Sequence, residues 1–191
     1  MAAKSAEQLS ARERLLAAAN QLFYEEGVNT VGIDRVIERA GVAKATLYSA
    51  FGSKDELIRA YLEQRYNARR ERTMRALEQY ETPRERLMAV FDTLAESLAQ
   101  PNYHGCAFVN ASAEARPGSP IEVAVDGYRG WLRGLLTDLA REAGAADPQR
   151  LAWQLHLLYD GASVSARMDH DPDAAFPARQ AAEALISAAL D

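Results

Sequence analysis

Cysteine is nearly missing from this 191-residue chain, and the single Cys106 excludes an intramolecular disulfide and fits a reducing compartment. Uninterrupted apolar runs of roughly 18 residues are also missing, so no membrane span is expected. The segment Met1-Ala2-Ala3-Lys4-Ser5-Ala6-Glu7 meets charge without passing through an apolar stretch, which argues against a secretory signal and for a cytoplasmic protein. With three histidines and no His/Cys cluster, no metal is expected. The run Asp169-His170-Asp171-Pro172-Asp173 has neither the glycine nor the closing glutamate of a calcium loop. A glycine-rich phosphate loop, a nucleophile elbow and a catalytic constellation are all lacking, so the sequence points to no enzyme and no cofactor. Strict alternation beside turn residues is lacking too, and with it any reason to expect a sheet.

What is present is apolar and helical. Apolar residues make up 48% of the chain, enough for a packed core. The net charge of −5 argues against a surface built to bind polyanions indiscriminately. Its distribution says more: residues 1–55 are neutral in sum, 56–90 carry a small positive excess, and 91–191 are strongly acidic. Between positions 27 and 54, Arg35, Arg39, Lys44 and Lys54 outnumber Asp34 and Glu38, so an anionic partner should dock there.

Helix starts are legible. Ser10/Glu13, Ser53/Glu56, Thr82/Glu85 and Ser119/Glu122 each match the S/T-x-x-E capping box, in which the hydroxyl and the glutamate satisfy each other's free backbone donors. Pro83 and Pro120 follow two of these caps, and Asp147-Pro148 is a further start of that kind. With apolar periodicity these signals predict about nine helices, near 10–26, 31–40, 43–50, 54–79, 83–99, 105–115, 120–143, 148–168 and 174–190. In the seventh, Ile121, Val125, Tyr128, Leu132, Leu135 and Leu139 form the apolar stripe. Pro177 leaves the start of the ninth open.

The functional signal lies between Thr30 and Lys54. An amphipathic helix ends at Ala40, Gly41 supplies a tight turn, and a short helix follows within three residues; that spacing suits a helix-turn-helix whose second helix enters the major groove. Its exposed positions, Lys44, Ala45, Thr46, Tyr48 and Ser49, offer a cation, two hydroxyls and a phenol to DNA, while Leu47 and Phe51 face inward. The segments Phe23-Tyr-Glu-Glu-Gly27, Ile33-x-x-Val-Ile-x-x-Ala-Gly-Val42, Lys44-Ala-Thr-Leu-Tyr48 and Phe51-Gly-Ser-Lys-Asp-Glu-Leu57 resemble the tetracycline-repressor-like (TetR) family of one-component bacterial regulators. The resemblance is specific over roughly residues 10–60 and weak beyond. It implies an all-α homodimer with a three-helix DNA-binding head (1–52) and a helical ligand-binding and dimerisation body (53–191). It also implies a repressor released from a palindromic operator by a small molecule. By the same resemblance Thr30 and Lys54 are phosphate contacts, and Lys44, Thr46, Tyr48 and Ser49 face the groove. One departure stands out: Ala43 occupies a cap position where the family has Ser or Thr, and losing an N-cap costs about 1 kcal/mol.

In the body, His104, Cys106, Asn110, Trp131, Trp153, His156, Tyr159 and Asp160 are the candidates for an aromatic, partly polar effector pocket. His156 and Asp160, four apart, could bond each other, meet an arginine or face a ligand. Cys106, expected in the first turn of the sixth helix, could be a reactive thiol or a small buried hydrophobe. The small residues of helices 8 and 9 could serve internal packing or a dimer interface, and the resemblance favours the dimer. The six arginines between Arg59 and Arg75 read as a solvated face with some ion pairs. A helical ligand-binding or protein-interaction module without operator recognition is the alternative to a DNA-binding regulator.

Overall fold

The computed structural model describes residues 9–190, and among these it forms nine helices and no strand. They are α1 (Ala11–Glu26), α2 (Ile33–Ala40), α3 (Lys44–Phe51), α4 (Lys54–Leu77), α5 (Pro83–Leu98), α6 (Ala107–Glu114), α7 (Pro120–Glu142), α8 (Pro148–Met168) and α9 (Ala175–Leu190). Five of the nine starts carry a side-chain cap, from Ser10, Ser53, Thr82, Ser119 and Asp147. Ser10 and Thr82 form complete boxes with Glu13 and Glu85. Ser53 and Ser119 accept the N–H groups of Glu56 and Glu122 at 3.1 and 3.3 Å, but neither glutamate returns the bond. Glu56 turns to Arg59, and Glu122 takes the N–H of Gly118 at 2.5 Å instead. Pro177 costs α9 nothing, because it is the third residue of the helix, where no intrahelical partner is due.

The chain divides into two compact units. One comprises the residues up to Tyr66 with Ala107–Asp126, so it holds α1 to α3, the start of α4, α6 and the start of α7. Its core includes Leu15, Ala19, Leu22, Phe23, Val36, Leu47, Leu57 and Tyr61, with the Phe23 and Tyr61 rings edge-on at 5.8 Å. The other comprises Asn67–Cys106 with Gly127–Asp191. There α5 packs against α8 and α9, which pack against each other around Leu87, Phe91, Leu94, Leu155, Ala182 and Ile186. Arg179 fastens α9 to Asp92 of α5 at 2.6 Å.

The stripe of α7 needs one correction. Leu136, not Leu135, is fully buried between Leu132 and Leu139, so the inward face steps by four and then three residues.

Candidate functional site

The α2–α3 pair owes its geometry to Gly41. It takes the left-handed conformation (φ 62°), its N–H reaches Glu38 O and Ile37 O, and Val42 N–H bonds Ile37 O at 3.2 Å. A residue with a Cβ is strained there, and glycine is not. Arg14 of α1 adds a bond from Nε to Ala40 O at 3.1 Å, fixing the end of α2 from outside. α3 then anchors itself by Leu47, which is fully buried, and by Phe51, half-buried beneath the Arg12 guanidinium at 4.8 Å.

The outward side of α3 shows Lys44, Ala45, Ser49 and Tyr48, the last with 46% of its surface exposed; Thr46 is half-buried. Ala43 occupies the cap position with extended backbone and no side-chain hydrogen bond. Lys44 forms an ion pair with Asp34 of α2 at 3.1 Å, and this carboxylate holds the ammonium above its ordinary range. Lys54 is the first residue of α4, and Thr30 is exposed in the turn two residues before Gly32, the cap of α2. All six residues expected at DNA therefore belong to one unit.

The body candidates separate. Asn110 lies half-buried on α6 in the unit that carries the head, and the other seven lie in the second unit. Cys106 is 4% exposed and immediately precedes α6, which starts at Ala107, two residues later than expected, so the thiol lies outside its first turn. Its sulfur sits 4.0 Å from Nη1 of Arg69, and the same nitrogen donates to Tyr128 Oη at 2.9 Å and reaches Tyr159 Oη at 3.4 Å. Burial works against the Arg69 charge, but Tyr128, Tyr159 and Cys106 outweigh it and hold the guanidinium above its usual range. Burial pushes the Tyr128 phenol well up, with Arg69 opposing. Phe91 closes on Tyr159 edge-on at 6.3 Å, and Trp131 lies 6.2 Å from Tyr128.

Asp160 resolves in favour of an arginine. It pairs with Arg129 at 2.8 Å, whereas His156 Nε2 stands 3.7 Å away, beyond a hydrogen bond. His156 is 2% exposed, and burial lowers its pKa below the ordinary 6.5; Asp160 opposes this, and Arg129 and Arg133 add to it. Trp153 is 52% exposed beneath Arg133, whose guanidinium carbon is 4.4 Å from the ring. His104 is half-buried in the turn before Cys106.

The solvated-arginine reading of α4 fails at Arg65 and Arg69, while Arg72 stays exposed although it also finds a partner. Arg69 enters the cluster above, Arg72 donates to Ser97 Oγ at 2.7 Å, and Arg65 lies 3.7 Å over the Tyr24 ring. The missed signal was periodicity. Leu62, Arg65, Arg69, Thr73 and Leu77 recur at three and four residues, with Leu62, Thr73 and Leu77 buried, so the stripe carries Arg69 inward.

A short helix, a left-handed glycine and a second short helix that presents Lys, Tyr and Ser outward define a helix-turn-helix DNA-binding head. Residues 15–61 match the family model described as bacterial regulatory proteins, tetR family, and residues 83–182 match that of the tetracyclin repressor-like C-terminal domain. The chain is 31% identical to the HTH-type transcriptional repressor NemR of Escherichia coli K12 over 82% of its own length and 84% of that protein's. A crystal structure of a TetR-family regulator from Streptomyces coelicolor superposes with a TM-score of 0.89 at 33% identity, over 95% of this chain and 96% of that one. The reduced form of E. coli NemR superposes with a TM-score of 0.80 at 25% identity, over 92% and 97%. The chain belongs to the TetR family of DNA-binding transcriptional regulators.

Proposed function

We propose that this regulator is a homodimeric repressor that acts in the cytoplasm, holds a palindromic operator through its helix-turn-helix heads and lets go when a small molecule engages the body. The observation that carries the reading is the outward face of α3, where Lys44, Tyr48 and Ser49 stand free of the core beside Thr46. Lys44, Thr46, Tyr48 and Ser49 meet the groove, and Thr30 and Lys54 meet phosphates, which fix register without reading sequence. Residues 1–52 serve as the head and 53–191 as the body. NemR, matched over 82% of this chain and named as a repressor, supports repression; the relative named as an activator matches over 46%.

Dimerisation through α8 and α9 is supported by an apolar stripe that the protomer leaves in water. Trp153, Leu157, Val164 and Met168 of α8, with Phe176 of α9, are 38–72% exposed. On α8 they fall at helical spacing with Gly161, beside an open groove of about 470 Å³ lined by both helices. A patch of that kind calls for a partner, and a second copy supplies one with the two-fold symmetry a palindrome requires.

Effector response is assigned to the Arg69–Tyr128–Tyr159–Cys106 cluster, with His156, Trp131 and His104 in the same unit. A second reading, favoured by the guanidinium beside the sulfur, makes Cys106 itself the responding group. The thiolate is the nucleophile, and a cation is its fitting counter-ion. An activated alkene would add to Sγ, its π bond breaking as the S–C bond forms and the thiol proton ending, by way of solvent, on the neighbouring carbon, and the adduct would act as the effector. A mobility-shift titration with the intergenic DNA upstream of the gene tests the proposal. Specific retardation that disappears with an effector supports it, whereas equal, weak binding to every duplex would leave a helical module without operator recognition.

A further inference from the structure

The C-terminal end of α6 and the residues just after it touch the α1–α2 turn and the first turn of α4, each contact one residue away from a proposed phosphate contact. Glu114 Oε2 accepts the backbone N–H of Asn29 at 2.7 Å. Its Oε1 lies 3.3 Å from where a Cβ on Gly27 would stand, and Gly27 has φ +93°. The carboxylate thus fills the turn between α1 and α2, and a glycine there leaves it room. Two residues on, Arg116 Nη2 donates to Asp55 Oδ2 at 3.1 Å. Asn29 precedes Thr30, and Asp55 follows Lys54.

Asp55 suits the positive end of α4, but neither carboxylate favours a complex with DNA. A negative charge beside groups that must meet phosphate lowers affinity for DNA. What Glu114 and Asp55 do supply is position. A carboxylate accepting a backbone N–H makes a short, charge-assisted bond that holds a turn in one conformation, and an arginine on the first turn of α4 restrains that helix where Lys54 begins it.

We propose that Glu114 and Arg116 form a clip that sets Thr30 and Lys54 at the spacing operator phosphates require, so that the end of α6 is a positioning element for DNA binding. This rests on the phosphate roles proposed for Thr30 and Lys54. Neither clip residue touches DNA in this account; both act through the backbone and side chains they hold.

The test is operator affinity of the full-length protein, with thermal midpoints recorded for every variant. Glu114→Ala should bind about tenfold more weakly, the loss expected for a charged hydrogen bond, although the substitution makes the charge more favourable for DNA. Glu114→Gln, whose amide oxygen still accepts from Asn29, should bind within about twofold of wild type. Thr30→Ala should add nothing on the Glu114→Ala background, because the contact it removes is already misplaced. Glu114→Ala binding as tightly as wild type or tighter, or Glu114→Gln as weak as Glu114→Ala, would overturn the clip. Where Glu114→Ala lowers the thermal midpoint, Arg116→Ala decides, since its side chain is 82% exposed and no part of a core. It should weaken binding and make Lys54→Ala silent, whereas additive losses would overturn the proposal. Thr30→Ala and Lys54→Ala that both bind like wild type would instead overturn the phosphate roles themselves.

Discussion

Leu157→Glu is the most direct probe of the proposed dimer. In the protomer Leu157 is 58% exposed, so the substitution removes little from the protomer's own core. Complete burial of a leucine side chain is worth about 1.5–3 kcal/mol. A little over half of that remains to be gained at an interface, about 1–1.5 kcal/mol, and a two-fold contact counts it twice. Losing about 2–3 kcal/mol raises the dissociation constant on the order of a hundredfold. The buried carboxylates then add a desolvation cost and a mutual repulsion. Sedimentation at micromolar concentration should show a wild-type dimer and a Leu157→Glu monomer with an unchanged helical circular dichroism spectrum and weakened operator binding. A wild type that sediments as a monomer, or a variant that stays dimeric, refutes the reasoning. Ala182, although in α9, is the wrong probe: it is completely buried within the protomer, so Ala182→Glu should unfold the chain rather than divide the dimer.

Three further outcomes are expected. Lys54→Ala should weaken binding to all sequences about equally and flatten the log–log salt slope by about 0.9 per head, or roughly 1.8 for the dimer; Thr46→Ala should instead change preference among operator variants, and an unchanged slope for Lys54→Ala removes it from the phosphates. An electrophile should release operator from wild type but not from Cys106→Ser, and Arg69→Leu should slow iodoacetamide labelling of Cys106 at neutral pH; equal release from both proteins leaves the thiol as packing. Because the folded-state pKa of His156 lies below 6.5, the unfolded chain takes up the proton first, so stability present above that pH is lost as the pH falls toward the folded value. Chemical denaturation should show this loss in wild type and less of it in His156→Gln, and parallel pH profiles would refute the assignment.

Element boundaries were legible in the sequence because caps are local. A hydroxyl, a proline at the first position or a glycine past the last decides a helix end within a few residues, as at Thr82-Pro83 and Gly41. The family was legible for the same reason, since the words that carry it crowd into the head. The body was harder to read. Its polar cluster joins Arg69, Cys106, Tyr128 and Tyr159, which lie far apart in the chain and which no single-helix pattern connects. Arg69 was hidden further by its charge, because a run of arginines suggests water even where the period of the helix turns one of them inward. The pairing at Asp160 was open for a like reason: spacing offered His156, and Arg129 arrives from another helix.

The ion pair between Lys44 and Asp34 bears on how the protein searches for its site. On the proposed reading, Lys44 shares or exchanges its Asp34 partner when it meets a phosphate or a base, and away from DNA the pair shows solvent a neutral face. Random duplex returns only an electrostatic attraction for that exchange, whereas the operator returns shaped contacts as well. The cost of the exchange falls equally on random duplex and operator, so it loosens both and leaves their ratio to the contacts that the operator adds. Two heads make it twice, so dwell times on random duplex shorten by the square of the single-head factor. On that reading a carboxylate four residues before Glu38, unremarkable on its own helix, acts as a placeholder that holds the lysine until a duplex takes its place.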